Sequence, residues 1–462
     1  MYSEMAANWP FTTPSTNVAA PASPAAGPAP AEPPASIAAS ASAATGMAVQ
    51  PAAVQLSAAG AASAAASAQA LVQSGGCEGC KAGAASPAEA AAGATDSSGG
   101  SKATPLPRIF VSIAAFRDEE CQWTLRDLFL QATHPDRVSA GVVWQVDPLA
   151  DQAFTRMAGG QRTAPYQQQV REVRLHFRSA TGPCAARSLA QQLWAGEEYV
   201  LQIDAHMRFV QGWDVLCMQQ LQQAQQAAGS SRVVLSTYPL GYSGQGAAAQ
   251  VPEQAPATLL CAKGFDDAGF LRIQARTLRK QPPGPLPSYF WAAGFSFAPS
   301  AWLLEVPYCP HLPHLFFGEE VYMLARMATR GWRVWAPSVV LLFHQWERSE
   351  RPSSYQACVQ VDKAVRAASQ AKVLQLLRQG SRNAAAVTIE GLRLNNGEHA
   401  GQVMHTAKPP TPADWAPGGI WGLGTAKSLQ AFESLCGVKF KEKLLEQQAI
   451  YGGQDPAMFV EM

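Results

Sequence analysis

The run Leu201-Gln202-Ile203-Asp204-Ala205-His206 is mostly apolar and closes on Asp-x-His. Such a run reads as a buried β-strand whose carboxyl end presents a carboxylate and an imidazole. In an α/β sheet, that end is where a divalent cation can be held against a diphosphate. His344 follows a second apolar run, Val339-Val340-Leu341-Leu342-Phe343, and so also stands at a strand end. Asp204, His206 and His344 together make a three-ligand metal set that leaves positions for phosphate oxygens and a water. Imidazole ligands favour Mn²⁺, with Mg²⁺ as the alternative, and the ion would neutralise charge growing on a departing diphosphate. Taken singly, Asp204 reads equally as a cap for the next segment, and either histidine as a buried ring bonded to backbone.

Three further groups bear on the same chemistry. Glu319 and Glu320 follow Phe316-Phe317-Gly318 at a helix start. Adjacent carboxylates there complement the helix dipole, but their apolar, aromatic surroundings call for a partner such as a sugar hydroxyl. In Trp291-Ala292-Ala293-Gly294 the small residues after an aromatic admit either a ligand close to the backbone or close strand packing. Arg178 and Arg187 flank Gly182-Pro183, where the start of a helix could face phosphate; a solvated basic face is the competing reading. Arg348 and Arg351 follow His344 and could clamp phosphate from a loop. His311 and His314 have metal-like spacing without a third ligand and read as loop residues.

The elements that must position these groups follow from hydrophobic period. Strands are expected at Ile109–Ala115, Gly141–Val146, Val173–Phe177, Tyr199–Ile203 and Val233–Ser236, with helices between them. Thr124 with Asp127 resembles a helix start, and Pro183 opens a second helix. Strand, helix, strand at this spacing means parallel pairing with right-handed crossovers, an α/β fold with a mostly parallel central sheet. Trp291–Phe297 and Val339–Phe343 read as strands around a helix from Glu319 to Arg330. Residues 242–256 and 281–287 read as loops, and Lys427–Tyr451 as one amphipathic helix.

Composition bounds the rest. Before Pro105 the chain is Ala, Ser, Pro and Gly, as in PASPAAGPAPAEPPASIAASASAA. Such a segment buries too little apolar area to offset its ordering entropy, so residues 1–104 are expected to be a disordered tail. Without the two lysines and five acids of that tail, the 35 basic and 34 acidic residues become 33 and 29, a net charge of +4. That is no electrostatic footprint for nucleic acid. No apolar run approaches the length of a membrane span, and MYSEMAANWPF lacks the basic and apolar regions of a secretory signal. The nine cysteines are scattered and odd in number, which fits reduced thiols and a cytoplasmic location. Cys77-x-x-Cys80 reads as an inert pair in the tail.

Taken together, RIFVSIAAFRDEECQWTLRDLFLQA, RSATGPCAARSLAQQLWAGEEYVLQIDAHMRFVQGWD and FWAAGFSFAPSAWLLEVPYCPHLPHLFFGEEVYMLARMATRGWRVWAPSVVLLFHQW resemble the cytoplasmic polypeptide N-acetylglucosaminyltransferases (glycosyltransferase family sixty). That family modifies hydroxyproline on the small adaptor of SCF-type ubiquitin ligases. The likeness covers about Arg108 to Arg348, with a weaker echo, IWGLGTAKSLQAFESLCGVKF, to about Phe440. It implies a GT-A fold, a UDP-GlcNAc donor, a divalent metal on Asp204, His206 and His344, and an α-linkage made with retention. The motif order is also similar, more distantly, to the mucin-type polypeptide GalNAc-transferases. By that analogy Gly294 lies beside the donor sugar, Glu319 bonds its hydroxyls, Phe116-Arg117-Asp118 faces uridine, and Arg187 lies near the diphosphate. With retention no separate base is needed, so Glu319 or Glu320 would orient rather than abstract.

The expected organisation is a tail (1–104), a catalytic domain (105–350) and a C-terminal extension completing that domain or the acceptor side (351–462). Two alternatives stand beside this reading. One is the same fold with another UDP-sugar or acceptor. The other is an inactive lectin-like or scaffold module, against which the intact metal set and Glu319 argue.

Overall fold

Strand β1 (Ile109–Phe116) buries Ile109, Val111, Ile113 and Ala115 in one apolar core and Phe110 in another on the opposite face. Alternation of side chains along a strand makes this two-sided burial possible, and it places β1 inside a sheet covered on both faces. The computed structural model describes residues 105–347, 363–379 and 409–460, all within the compact unit Ser97–Met462. The expected tail and the Cys77/Cys80 pair lie outside the described residues, as do Arg348 and Arg351.

After β1 come α1 (Cys121–Leu130), β2 (Val138–Val146), β3 (Val170–His176), α2 (Pro183–Gln191), β4 (Tyr199–Asp204) and β5 (Met207–Phe209). Then follow α3 (Trp213–Ala228), β6 (Val233–Ser236), β7 (Thr258–Phe265), β8 (Leu271–Thr277), β9 (Leu286–Ser288) and β10 (Phe295–Pro299). The remaining main elements are α4 (Glu319–Thr329), β11 (Arg333–Ala336), β12 (Leu342–His344), α5 (Lys363–Gln379) and α6 (Leu429–Cys436).

An eight-stranded sheet has the order β3-β2-β1-β4-β10-β6-β11-β9. Within it only β10 and β9 run against the rest, so the expected α/β class with a mostly parallel sheet is the one observed. Helices α1 and α3 cover one face through Leu125, Leu128, Phe129, Trp213, Cys217 and Leu221. The other face packs on α2, α4 and α6 through Cys184, Tyr322, Met323 and Phe432. Each such aliphatic or aromatic side chain contributes about 1.5–3 kcal/mol when fully buried.

Three pairings position the site. Parallel register sets Ala114 of β1 beside Asp204 of β4, and the chain reverses direction across the sheet between these strands. That is the crevice where α/β proteins bind ligands. Antiparallel β10 pairs with β4 at Phe295 and Ile203, which brings Gly294 beside Asp204. The short β12–β5 ladder pairs His344 with Met207.

Several expected elements are corrected. Helix α1 begins at Cys121, so Thr124 lies inside its first turn and caps nothing. Its hydroxyl instead accepts the Met207 N–H (2.8 Å) and lies 2.8 Å from the Ala205 carbonyl, while Asp127 accepts the Phe209 N–H (2.6 Å). Both residues tie β5 to α1, partners that no local pattern discloses. The strand expected at Trp291–Phe297 begins only at Phe295 and runs to Pro299, and Val339–Phe343 yields the small ladder rather than a strand of the main sheet. The stretch at 281–287 contributes edge strand β9. Lys427–Tyr451 is not one helix: α6 ends at Gly437 (φ 70), and a short hairpin and a four-residue helix follow. The β7–β8 hairpin has no counterpart in the sequence reading.

Helix α4 also holds the segment around residues 419–422. Arg326 donates to the carbonyls of Pro307 (2.6 Å) and Ile420 (2.7 Å), and Arg330 to those of Gly422 (2.9 Å) and Gly419 (2.7 Å). Tyr322 Oη donates to the Trp421 carbonyl (2.8 Å). Among the described residues, no helix is long and apolar enough to cross a membrane.

Candidate active site

Asp204, His206 and His344 converge at the carboxyl end of β4, with one potential ligand atom from each lying within 4.8 Å of the others. His206 Nε2 lies 3.0 Å from His344 Nε2, and His344 Nε2 lies 3.3 Å from Asp204 Oδ2. Both histidines are buried, and neighbouring strands set their spacing through the His344–Met207 pairing. Two imidazole nitrogens and a carboxylate oxygen turned on one point suit a divalent ion with mixed nitrogen and oxygen preference. The residues present therefore fit the metal expected for them.

Arg187, on α2, stands behind this set. It donates to Asp204 Oδ1 (2.8 Å) and to the Ala293 carbonyl (2.6 Å), and its Nε lies 3.2 Å from Glu319 Oε1. Burial opposes charge on Arg187, yet Tyr308, Glu319 and Asp204 together raise its pKa. Burial also works against ionising Asp204. The His344 hydrogen bond and the Arg187 charge outweigh it and hold the carboxyl well below the ordinary carboxylate range. An aspartate kept ionised beside two imidazoles is ready to ligate a cation.

The two expected catalytic carboxylates start α4 and part company in their contacts. Glu319 is buried and its Oε1 accepts the Tyr308 hydroxyl (2.7 Å) as well as facing Arg187. Burial raises its pKa against the opposing pull of Arg187 and Tyr308. Glu320 accepts the Ala293 N–H (2.9 Å) and the Tyr238 hydroxyl (2.6 Å). Burial pushes Glu320 up to about 7. Both carboxylates thus have protein partners where a sugar hydroxyl was expected.

Trp291-Ala292-Ala293-Gly294 is pinned along its backbone. Ala292 N–H donates to Ser236 Oγ (2.9 Å), the Ala293 carbonyl also accepts Gln202 Nε2 (2.8 Å), and the Gly294 carbonyl accepts Asp204 N–H (3.3 Å). Gly294 packs against Asp204, whose carboxylate fills the space a Cβ would need.

The exit of β1 divides its three expected donor contacts. Arg117 forms a two-pronged bridge to Asp151 (2.7 and 3.0 Å) and lies over the Phe177 ring, against which Phe116 also packs. Asp118 turns inward, its Oδ2 2.7 Å from His206 Nδ1. Arg178 lies exposed over Phe177. His311 packs edge-on to Trp421, and His314 bonds through its N–H to Thr181, so both remain loop residues as expected.

Sequence reasoning missed Tyr308, Tyr238 and Trp346. Tyr238 follows the end of β6, so the strand-end rule that found Asp204 reaches it too. The Trp346 ring, two residues on, lies tilted by 38° against His344 with ring centroids 4.0 Å apart. Tyr308 sits in an irregular connection with no periodic signal.

Residues 108–157 and 150–442 match the family model described as Glycosyltransferase (GlcNAc). The chain belongs to this glycosyltransferase family. No curated protein matches the glycosyltransferase. Among solved structures it is similar to GalNAc-T7 with UDP, GalNAc and Mn²⁺, at 15% identity and a TM-score of 0.43, over 59% of this chain and 49% of that one. It is also similar to S. aureus TarS, at 14% identity and a TM-score of 0.33, over 52% and 60% of the two chains. A third similar structure is the mannosyltransferase PcManGT from Pyrobaculum calidifontis with GDP-Man and Mn²⁺, at 11% identity and a TM-score of 0.33, over 61% and 79%. The glycosyltransferase therefore spans about half the length of the first of these chains and 60% of the second.

Proposed function

We propose that this glycosyltransferase uses a divalent metal, Mn²⁺ first, to move GlcNAc from UDP-GlcNAc to a protein hydroxyl, with retention in a GT-A fold. Hydroxyproline of the SCF ubiquitin-ligase adaptor is the acceptor in this reading, and the cytoplasm its location. The convergence of Asp204, His206 and His344 at the sheet's switch point carries the proposal. Family membership supports the reaction class, and six free, buried cysteines among the described residues are consistent with a reducing compartment.

A bound divalent ion supplies Lewis-acid neutralisation of the leaving diphosphate. The chain's own residues do the rest. Arg187 keeps Asp204 ionised and oriented, and it adds positive charge on the side where the diphosphate would lie. Phe116, Arg117 and Gly294 border the same crevice and are the proposed donor contacts, with Arg348 in the adjoining segment outside the described residues. Glu319, whose Oε1 is engaged by a cation and a phenol, takes an orienting role in this reading. In this reading residues 409–460, held to α4 through Arg326 and Arg330, complete the catalytic domain or the acceptor side.

The test is UDP release from the full chain with Mn²⁺ and a panel of UDP-sugars. Release from UDP-GlcNAc above the others supports the donor, and another preferred sugar would rename it. Silence that persists with acceptor peptides would favour a binding module. Glu319→Gln should lose donor hydrolysis and transfer alike; loss with acceptor only would assign it as a base.

A further inference from the structure

His206 offers two ring nitrogens, and the structure separates their tasks. Nε2 faces His344 and the Asp204 side of the site, while Nδ1 lies 2.7 Å from Asp118 Oδ2. With Asp118 as a carboxylate, which only accepts hydrogen bonds, a neutral His206 ring bonded to it holds its proton on Nδ1. The lone pair is then left on Nε2, the atom turned toward the other two ligands.

Asp118 is itself held in place. Its Oδ1 accepts the Glu120 N–H (3.1 Å), its carbonyl accepts the Cys121 N–H (3.3 Å), and the side chain is buried. Just before it, Arg117 N–H donates to the Gln145 carbonyl (3.0 Å), which anchors the exit of β1 to β2. On the other side of His206, Thr124 holds the backbone at Ala205 and Met207. Nearby, Glu120 pairs with Arg208 and accepts the Tyr242 hydroxyl (3.1 Å) and the Gly246 N–H (2.6 Å). Tyr242 N–H in turn donates to the His344 carbonyl (3.2 Å).

We propose that Asp118 is a positioning residue for the metal centre: it fixes the orientation and tautomer of His206 without being a ligand. The inference rests on the metal reading above. It gives Asp118 a different task from a contact to uridine. A carboxylate behind a ligating histidine fixes the ring and raises its basicity, and its loss commonly weakens metal binding by about 10–100-fold.

The experiment titrates the full-length chain with Mn²⁺ alone, following free Mn²⁺ by electron paramagnetic resonance. Asp118→Ala should bind Mn²⁺ about 10–100-fold more weakly than the unmodified chain. Asp118→Asn, which keeps an acceptor oxygen, should recover part of that loss. Imidazole ¹⁵N shifts without metal should report Nδ1–H at His206 in the unmodified chain and a tautomer mixture in Asp118→Ala. These shifts respond to the hydrogen bond rather than to general stability. Should the alanine variant fail to fold, the shifts of the unmodified chain and of Asp118→Asn decide, Nε2–H in the unmodified chain overturning the inference. Mn²⁺ affinity in Asp118→Ala within twofold of the unmodified chain would overturn the inference alone. No Mn²⁺ uptake by the unmodified chain would overturn the metal reading as well.

Discussion

A methyl group placed on Gly294 would lie 2.7 Å from Oδ2 of Asp204. Real side chains do not approach so closely, so the carboxylate owes its position to the missing side chain at 294. Asp204 cannot simply yield, because its other oxygen is bonded to Arg187 at 2.8 Å. Gly294→Ala should displace the carboxylate by a fraction of an ångström to an ångström. Misplacement on that scale costs up to roughly 100-fold in rate. UDP release and Mn²⁺ affinity should both fall, and the melting temperature with them, since the displaced carboxylate strains its bond to Arg187. Unchanged Mn²⁺ affinity would show that the carboxylate tolerates the methyl group.

Arg187 is the shared counter-charge of Asp204 and Glu319, two carboxylates far apart in the sequence. Arg187→Met keeps most of the volume and leaves buried Glu319 and half-buried Asp204 without it. Removing one partner of a buried ion pair typically costs about 3–5 kcal/mol. Urea denaturation should show a lower midpoint with an unchanged slope. Arg187→Lys should recover only part of this, because a single ammonium cannot copy a guanidinium that meets Asp204, Glu319 and the Ala293 carbonyl together.

Glu320 carries a pH signature. Burial raises its carboxyl to about 7 in the folded chain, against about 4.3 in an unfolded one. Between those values the folded state holds more protons than the unfolded state. Stability from this group is therefore fully present below the unfolded pKa and is lost as pH rises through about 7. Glu320→Gln should remove that component, so thermal melts between pH 5 and 8 should show a smaller decline with rising pH in the variant. An identical decline in both proteins would assign it elsewhere.

Arg326 is wholly buried, and its guanidinium bonds to backbone carbonyls at Pro307 and Ile420. Arg326→Leu would leave those carbonyls without their donor, at about 1–3 kcal/mol for each unsatisfied group. The segment around Trp421 should be cleaved faster in limited proteolysis than in the unmodified chain, and Glu319 on the same helix should lose some of its fixed geometry. Cleavage at an unchanged rate would show that Arg330 and Tyr322 hold the segment alone.

The candidate set of Asp204, His206 and His344 was legible because strand ends are a local property. An apolar run closing on Asp-x-His, and another closing on His344, place their polar residues at sheet ends whatever the rest of the chain does. The partners were not legible. Thr124 and Asp127 match a capping pattern, yet they bond to β5, and Asp118 matches a loop at a strand exit, yet it bonds to His206. Those bonds span long stretches of sequence, and spacing rules reach only a few residues. The amphipathic stretch at the C-terminal end failed for the related reason that helical spacing survives a break at Gly437.

The sequence by itself determined which side chains stand at strand ends, because apolar period and strand length are set within a few residues. It also determined that a βαβ order would bring those ends to one edge. Only the tertiary structure decided which groups meet there: Gly294 against Asp204, Arg187 between Asp204 and Glu319, Asp118 behind His206. The reason is physical. Local period selects backbone conformation, whereas an antiparallel strand inserted between β4 and β6, and a three-residue ladder joining β5 to β12, select neighbours.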